Sequence, residues 1–144
     1  MAKSTSFGQF RQRMAFLGKT VVGNSERAVK RAAIAADNAL VNETPFDTGR
    51  ARGNWFVSIG APDIRTEDTS DLGPAANAQM ALTQGEQTIE GWKIRLGPIF
   101  ISNSLPYILA LDSGSSRQAP AGMSQAGIEA ARQELAKARL LRGA

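Results

Sequence analysis

The chain has 144 residues, enough for one modest hydrophobic core and too few for two. Hydrophobic residues make up 42% and charged residues 21%, a balance that excludes a disordered or fibrous chain. With a formal charge of +4 and neither histidine nor cysteine, the chain has no imidazole proton shuttle, thiolate nucleophile, disulfide or ordinary zinc site.

Carboxylate chemistry or a Ser/Lys pair would remain for catalysis, and no spacing of acids or serines signals either. Gly8, Gly18 and Gly23 match no phosphate-loop fingerprint. The expectation is a protein that is not an enzyme, with no cofactor and no metal. No apolar run approaches the roughly 20 residues that span a bilayer, and residues near Met1 lack the apolar stretch of a secretory signal. A soluble protein made in the cytoplasm, with no membrane partner, is expected.

The charge is unevenly spread. Residues 1–40 carry seven basic and two acidic side chains, residues 41–116 five and nine, and residues 117–144 five and two. Basic ends of this kind attract nucleic-acid phosphate. They equally suit solvated faces of amphipathic helices, or packing against the acidic middle of a neighbouring copy.

Along the chain, Phe7, Phe10, Met14 and Leu17 recur at helical spacing, with Ser6 placed to cap and Gly18 to end a short docking helix or arm within residues 1–23. Asn24 or Ser25 can cap a second helix over 25–42, whose stripe is Val29, Ala33, Ala36 and Leu40. Pro45 stops it, and Gly49 permits a turn with positive φ. Trp55, Val57 and Ile59 then alternate with Phe56 and Ser58 as in a half-buried strand.

Residues 61–90 form a polar excursion in which only 75–84 looks helical. Strand character returns from Thr88 to Ile101, with Trp92, Ile94 and Leu96 on one face and a break at Gly97-Pro98. A turn at 102–107 leads into the apolar run 108–111 and a loop at 112–116. A last helix carries Ile128, Ala131, Leu135 and Ala138 and ends before Gly143. The expected fold is α+β, a single domain over 1–144: a small antiparallel sheet flanked by N-terminal and C-terminal helices, with a long insertion between strands.

The run Thr44-Pro45-Phe46-Asp47-Thr48-Gly49-Arg50-Ala51-Arg52-Gly53-Asn54-Trp55 resembles a signature of tailed-bacteriophage neck and tail-completion proteins, the family that includes lambda-type minor tail protein Z. Two further stretches match in order: Ile101-Ser102-Asn103-Ser104-Leu105-Pro106-Tyr107 with Leu111-Asp112-Ser113-Gly114, and Ser116-Arg117-Gln118-Ala119-Pro120-Ala121-Gly122-Met123. With the preceding helix these blocks cover roughly half of the chain. Phe46 stands where the family often has a smaller aliphatic residue, and Asp112 where glutamate is expected.

The resemblance implies a virion structural protein at the head–tail junction, needed for tail completion and head–tail joining. It implies rings of the chain itself, with six copies suiting tail symmetry. The implied neighbours are the tail terminator or tail tube and the head–tail connector, with non-specific contact to DNA in the lumen. The family offers no catalytic residue or cofactor to carry over.

The candidate interface or turn-fixing residues are Asp47, Thr48, Gly49, Arg50, Arg52, Trp55, Asn103, Pro106, Tyr107, Gln118 and Pro120. Asp47 and Thr48 can form a side-chain turn. Arg50 and Arg52, two apart on an extended segment, would point to one side, toward a neighbour's carboxylates or a phosphate, unless Asp47 and Arg50 pair within the subunit. Trp55 and Trp92 read as core residues or interface anchors, and Tyr107 as an edge-of-core ring or a polar contact. Residues 114–122 read as a loop, or as a segment ordered by the next subunit. The competing expectation is a basic DNA-binding accessory protein, although the aromatic interleaving of single-strand binders is weak.

Overall fold

A computed structural model of the chain describes residues 6–45, 49–69, 71–115 and 122–143. The fold is mixed α+β, with a long N-terminal helix, a C-terminal helix and a two-stranded antiparallel sheet.

Helix α1 runs unbroken from Phe7 to Glu43, 37 residues. At 1.5 Å per residue it is about 55 Å long, well beyond the diameter of a small domain. Ser6 caps it: its hydroxyl accepts from the Gln9 amide N–H, and the Gln9 side chain accepts from the Ser6 N–H. The expected break at Gly18 and second start at Asn24 or Ser25 are both corrected. A glycine costs a helix interior only about 1 kcal/mol, and no proline removes a ladder bond here. The Ser25 hydroxyl bonds back to the Val21 carbonyl, while the Asn24 side chain donates to the Leu140 and Arg142 carbonyls at 2.7 and 3.0 Å. The stop at Thr44-Pro45 holds, with Thr44 in extended geometry.

A single helical turn, α2 (Arg50–Gly53), leads into β1 (Phe56–Ile59). The excursion then returns through α3, Pro74–Glu90, 17 residues and longer than the expected 75–84. Thr88 and Ile89 therefore complete a helix and do not begin a strand. A 3-10 turn follows at Ile94–Leu96, and the second strand, β2, is only Ile99–Ser102. It pairs antiparallel with β1, Phe56 opposite Ser102 and Ile59 opposite Ile99. The apolar run at 108 becomes a short turn, α4 (Ile108–Ala110), continued by one wide turn at Leu111–Ser115.

The last helix, α5, is Met123–Ala136 and lies along α1. Its buried face is Met123 and Gly127, whereas Ile128 and Leu135 of the expected stripe are 53% and 48% exposed. Gly127 explains the rotation, since a Cβ there would stand 2.9 Å from Leu40 Cγ, so the missing side chain sets the depth of contact. The stripe on α1 is shifted likewise: Ala28, Ala32, Asp37, Leu40 and Val41 are buried, while Val29, Ala33 and Ala36 are half-buried. Asp112, from the preceding turn, accepts from the Ser124 N–H at 2.8 Å and so caps the start of α5. Burial pushes its carboxyl upward, but the hydrogen bonds from Ser124 and Met123 outweigh that and hold it below the usual range.

Leu40, Val41, Trp55, Ala81 and Met123 form the core, drawn from α1, the α2–β1 junction, α3 and α5. Beside it Asp37 is buried against α3, where Gly85 leaves room: a Cβ at 85 would lie 2.1 Å from Asp37 Oδ2. Desolvation raises this carboxyl from 3.8 to about 7. Between these values the folded chain keeps a proton that the unfolded chain has released, so stability falls as pH rises through that window and levels off above it. We expect Asp37→Asn to abolish this slope in urea titrations and to stabilise the protein well above pH 7, by up to about 4 kcal/mol. An unchanged slope would show that Asp37 is not the group responsible.

Candidate functional site

Of the singled-out residues that the structure describes, Gly49, Arg50, Arg52, Trp55 and Asn103 converge where α1 ends. Thr44 is the hub: its hydroxyl donates to the Leu40 carbonyl and accepts from Trp55 Nε1 at 2.8 Å. Trp55 is thereby a core residue, with its one polar atom satisfied. Arg52 reaches back over the same helix end. Its Nε donates to the Thr44 carbonyl at 2.8 Å and Nη2 to the Asn42 carbonyl at 3.1 Å, a cation placed at the negative end of the helix dipole. Burial lowers its pKa from the usual guanidinium range, and nearby Glu43 opposes that.

Arg50 and Arg52 do not share a side as an extended segment would place them. They lie on the turn of α2, where a step of two residues turns the side chain through about 200°. Gly49 enters this turn at φ +82°, as expected, and a Cβ there would stand 2.4 Å from Pro74 Cα, so the first residue of α3 sits against it. Asn103 Nδ2 donates to the Ala51 carbonyl at 2.9 Å, tying the end of β2 to α2, and its Oδ1 accepts from the Leu105 N–H. Pro106 and Tyr107 are exposed on the next turn. Asp47, Thr48, Gln118 and Pro120 lie outside the described residues.

The side chains that sequence reasoning missed are buried amides. Asn54 is fully buried: Nδ2 donates to the Arg50 and Glu67 carbonyls, both at 2.8 Å, and Oδ1 accepts from the Glu67 N–H at 2.7 Å. It pairs with Glu67 as a strand would and pins the excursion. Asn77 donates to the Thr69 carbonyl at 2.9 Å. From α3, Gln84 accepts from the Val57 N–H at 3.0 Å and donates to the Val57 carbonyl at 2.8 Å. Asn54 lies inside the run 44–55 singled out in the sequence, but nothing in its spacing marks its partner. Phe56, which alternates with Trp55 and Val57 along the strand, is buried as they are, with the Arg65 guanidinium 4.2 Å above its ring.

Outside this cluster two surfaces stand open. Beyond Asn24, α1 projects as an arm on which Phe7, Phe10 and Met14 are 76%, 54% and 51% exposed. Between β1, the 65–67 segment and α3 lies a hollow lined by Trp55, Phe56, Arg65, Glu67, Met80 and Gln84. Among the described residues no group of three or more acidic side chains is placed to hold a metal, and no helix is long and apolar enough to cross a membrane. No family model, curated protein or solved structure matches the chain.

The amide network should matter more than the exposed motif residues. Asn54→Ala removes three hydrogen bonds from a fully buried position, so we expect a loss of about 3 kcal/mol in chemical denaturation. Tyr107→Ala should stay within about 0.5 kcal/mol of the parent. Equal effects would contradict this division.

Proposed function

We propose that the chain is a virion structural subunit, a neck or tail-completion protein of a tailed phage. In this reading it assembles with copies of itself into a ring where tail tube and head connector meet. The observation that carries the reading is the projecting apolar arm of α1, a surface that a solitary subunit leaves in water and an assembled one can bury. The three ordered sequence blocks supply the phage context, and in the first of them Thr44, Arg52 and Trp55 fix the turn that joins α1 to the sheet. Native mass spectrometry and electron microscopy of the purified chain, alone and with its head–tail joining partners, should give closed rings, six copies being the expectation. A chain that stays monomeric under all these conditions and is missing from purified particles would overturn the proposal.

A second reading, non-specific DNA binding, is favoured by one contact. The bonds from Asn24 to Leu140 and Arg142 bring the basic C-terminal tail beside α1, so the two basic ends of the sequence adjoin. If DNA binding is the main role, affinity should persist at physiological salt and fall steeply above it. Binding confined to low salt would leave DNA at most an incidental contact within a ring.

A further inference from the structure

Asn24, Ala28, Ala32, Ala36 and Leu40 follow one another at steps of four and form a single ridge of α1. Its two ends are fixed against the C-terminal segment, Asn24 on the 140–142 carbonyls and Leu40 on Gly127. At about 100° per residue, Phe7, Phe10, Met14, Leu17 and Val21 fall on the same side of the helix. Leu17 and Val21 are half-buried, and Phe7, Phe10 and Met14 are bare. The apolar seam therefore continues past the helix that covers it. Some 17 residues separate Phe7 from Asn24, so the seam runs out over about 26 Å.

The arm cannot cover itself. Helix α1 is uninterrupted, and the hollow described above is floored by Trp55, which is bonded to Thr44 at the opposite end of that helix. Met14 and Thr44 are about 45 Å apart along the axis. Charge separates the two ends as well. Residues 6–20 carry Arg11, Arg13 and Lys19 and no acid, whereas residues 61–72 carry four acids and one base. Arg11 and Arg13 flank the apolar seam on its two sides; Glu67 lines the hollow with exposed Met80 and with Arg65, which pairs with Glu67 and Asp63, so the net negative charge of the 61–72 segment comes from Asp68 and Asp71. The outer face of α5 is the rival surface, and its charge favours the arm less: Met123–Ala136 carries two acids, Glu129 and Glu134, and one base, Arg132, against four acids and one base over 61–72.

We propose that the arm of one copy docks in the hollow of a second copy, with Phe10 and Met14 meeting Met80 and the arm's arginines facing the acidic 61–72 segment. This deepens the assembly reading and rests on it. Because arm and hollow lie at opposite ends of α1, the contact is head-to-tail. Such contacts repeat from copy to copy and close into a ring when the rotation allows.

The absence of cysteine makes the test direct. Met14→Cys protein and Met80→Cys protein are prepared separately, mixed as full chains and oxidised, and the products are counted by mass spectrometry. The 14–80 cross-link should exceed a 14–128 control, made with Ile128→Cys, several-fold. Glu67→Lys in the second copy should lower it, and Arg11→Glu with Arg13→Glu in the first should restore it. Oligomers in native mass spectrometry without a preferred 14–80 product overturn this docking and leave the ring reading standing. Dominant 14–14 products overturn it in favour of paired arms. Binding to vesicles of anionic lipid without the 14–80 product overturns it in favour of a lipid surface. Monomers with no cross-link at any attainable concentration overturn docking and self-assembly together.

Discussion

The contact between Thr44 and Trp55 fixes where everything else lies. A helix end leaves carbonyls without partners, and here the same few residues satisfy them and turn the chain. Thr44 takes the Leu40 carbonyl and the indole, and Arg52 takes the Asn42 and Thr44 carbonyls from the turn that follows. With the exit direction set, β1 begins beside the core, and α3 can be drawn in until Gly49 touches Pro74 and Gly85 touches Asp37. The close approaches at 49, 85 and 127 have one cause. Each interface in this small core reaches its depth by leaving out a side chain, and alanine and glycine take the place of volume.

Elements whose signal is local were legible in the sequence. The Ser6 cap, the stop at Thr44-Pro45, the positive φ of Gly49 and the existence of β1 all depend on residues within a few positions. Where the reading failed, the deciding contacts leave no mark in the local hydrophobic pattern. Gly18 and Gly23 looked like a break, yet a glycine costs a helix interior only about 1 kcal/mol, and next to Gly23 the Asn24 side chain is tied to the Leu140 and Arg142 carbonyls. Thr88 and Ile89 have strand propensity, yet the Thr88 hydroxyl bonds back to the Gln84 carbonyl and Ile89 is buried within α3. The buried face of α5 was missed because a hydrophobic stripe gives no weight to glycine.

The motif residues were singled out as interface or turn-fixing, and the sequence left the choice between the two open for Arg52 and Asn103. The fold turns both inward onto backbone carbonyls. The surface best suited to a partner is instead the N-terminal arm, which the 3-and-4 spacing of Phe7, Phe10 and Met14 did reveal. Its rigidity was hidden by the glycines.

One small feature constrains how copies of this chain can grow together. Two-stranded sheets have two open edges, and an open edge can recruit a strand from another molecule and propagate into fibres. On β1 that edge is closed at Val57, whose N–H and carbonyl are both held by the Gln84 side chain. A side-chain amide thus stands in for a third strand and terminates the sheet. Strand addition is blocked on that edge, which leaves the outer edge of β2, four residues long, as the sheet edge open to another copy among the described residues.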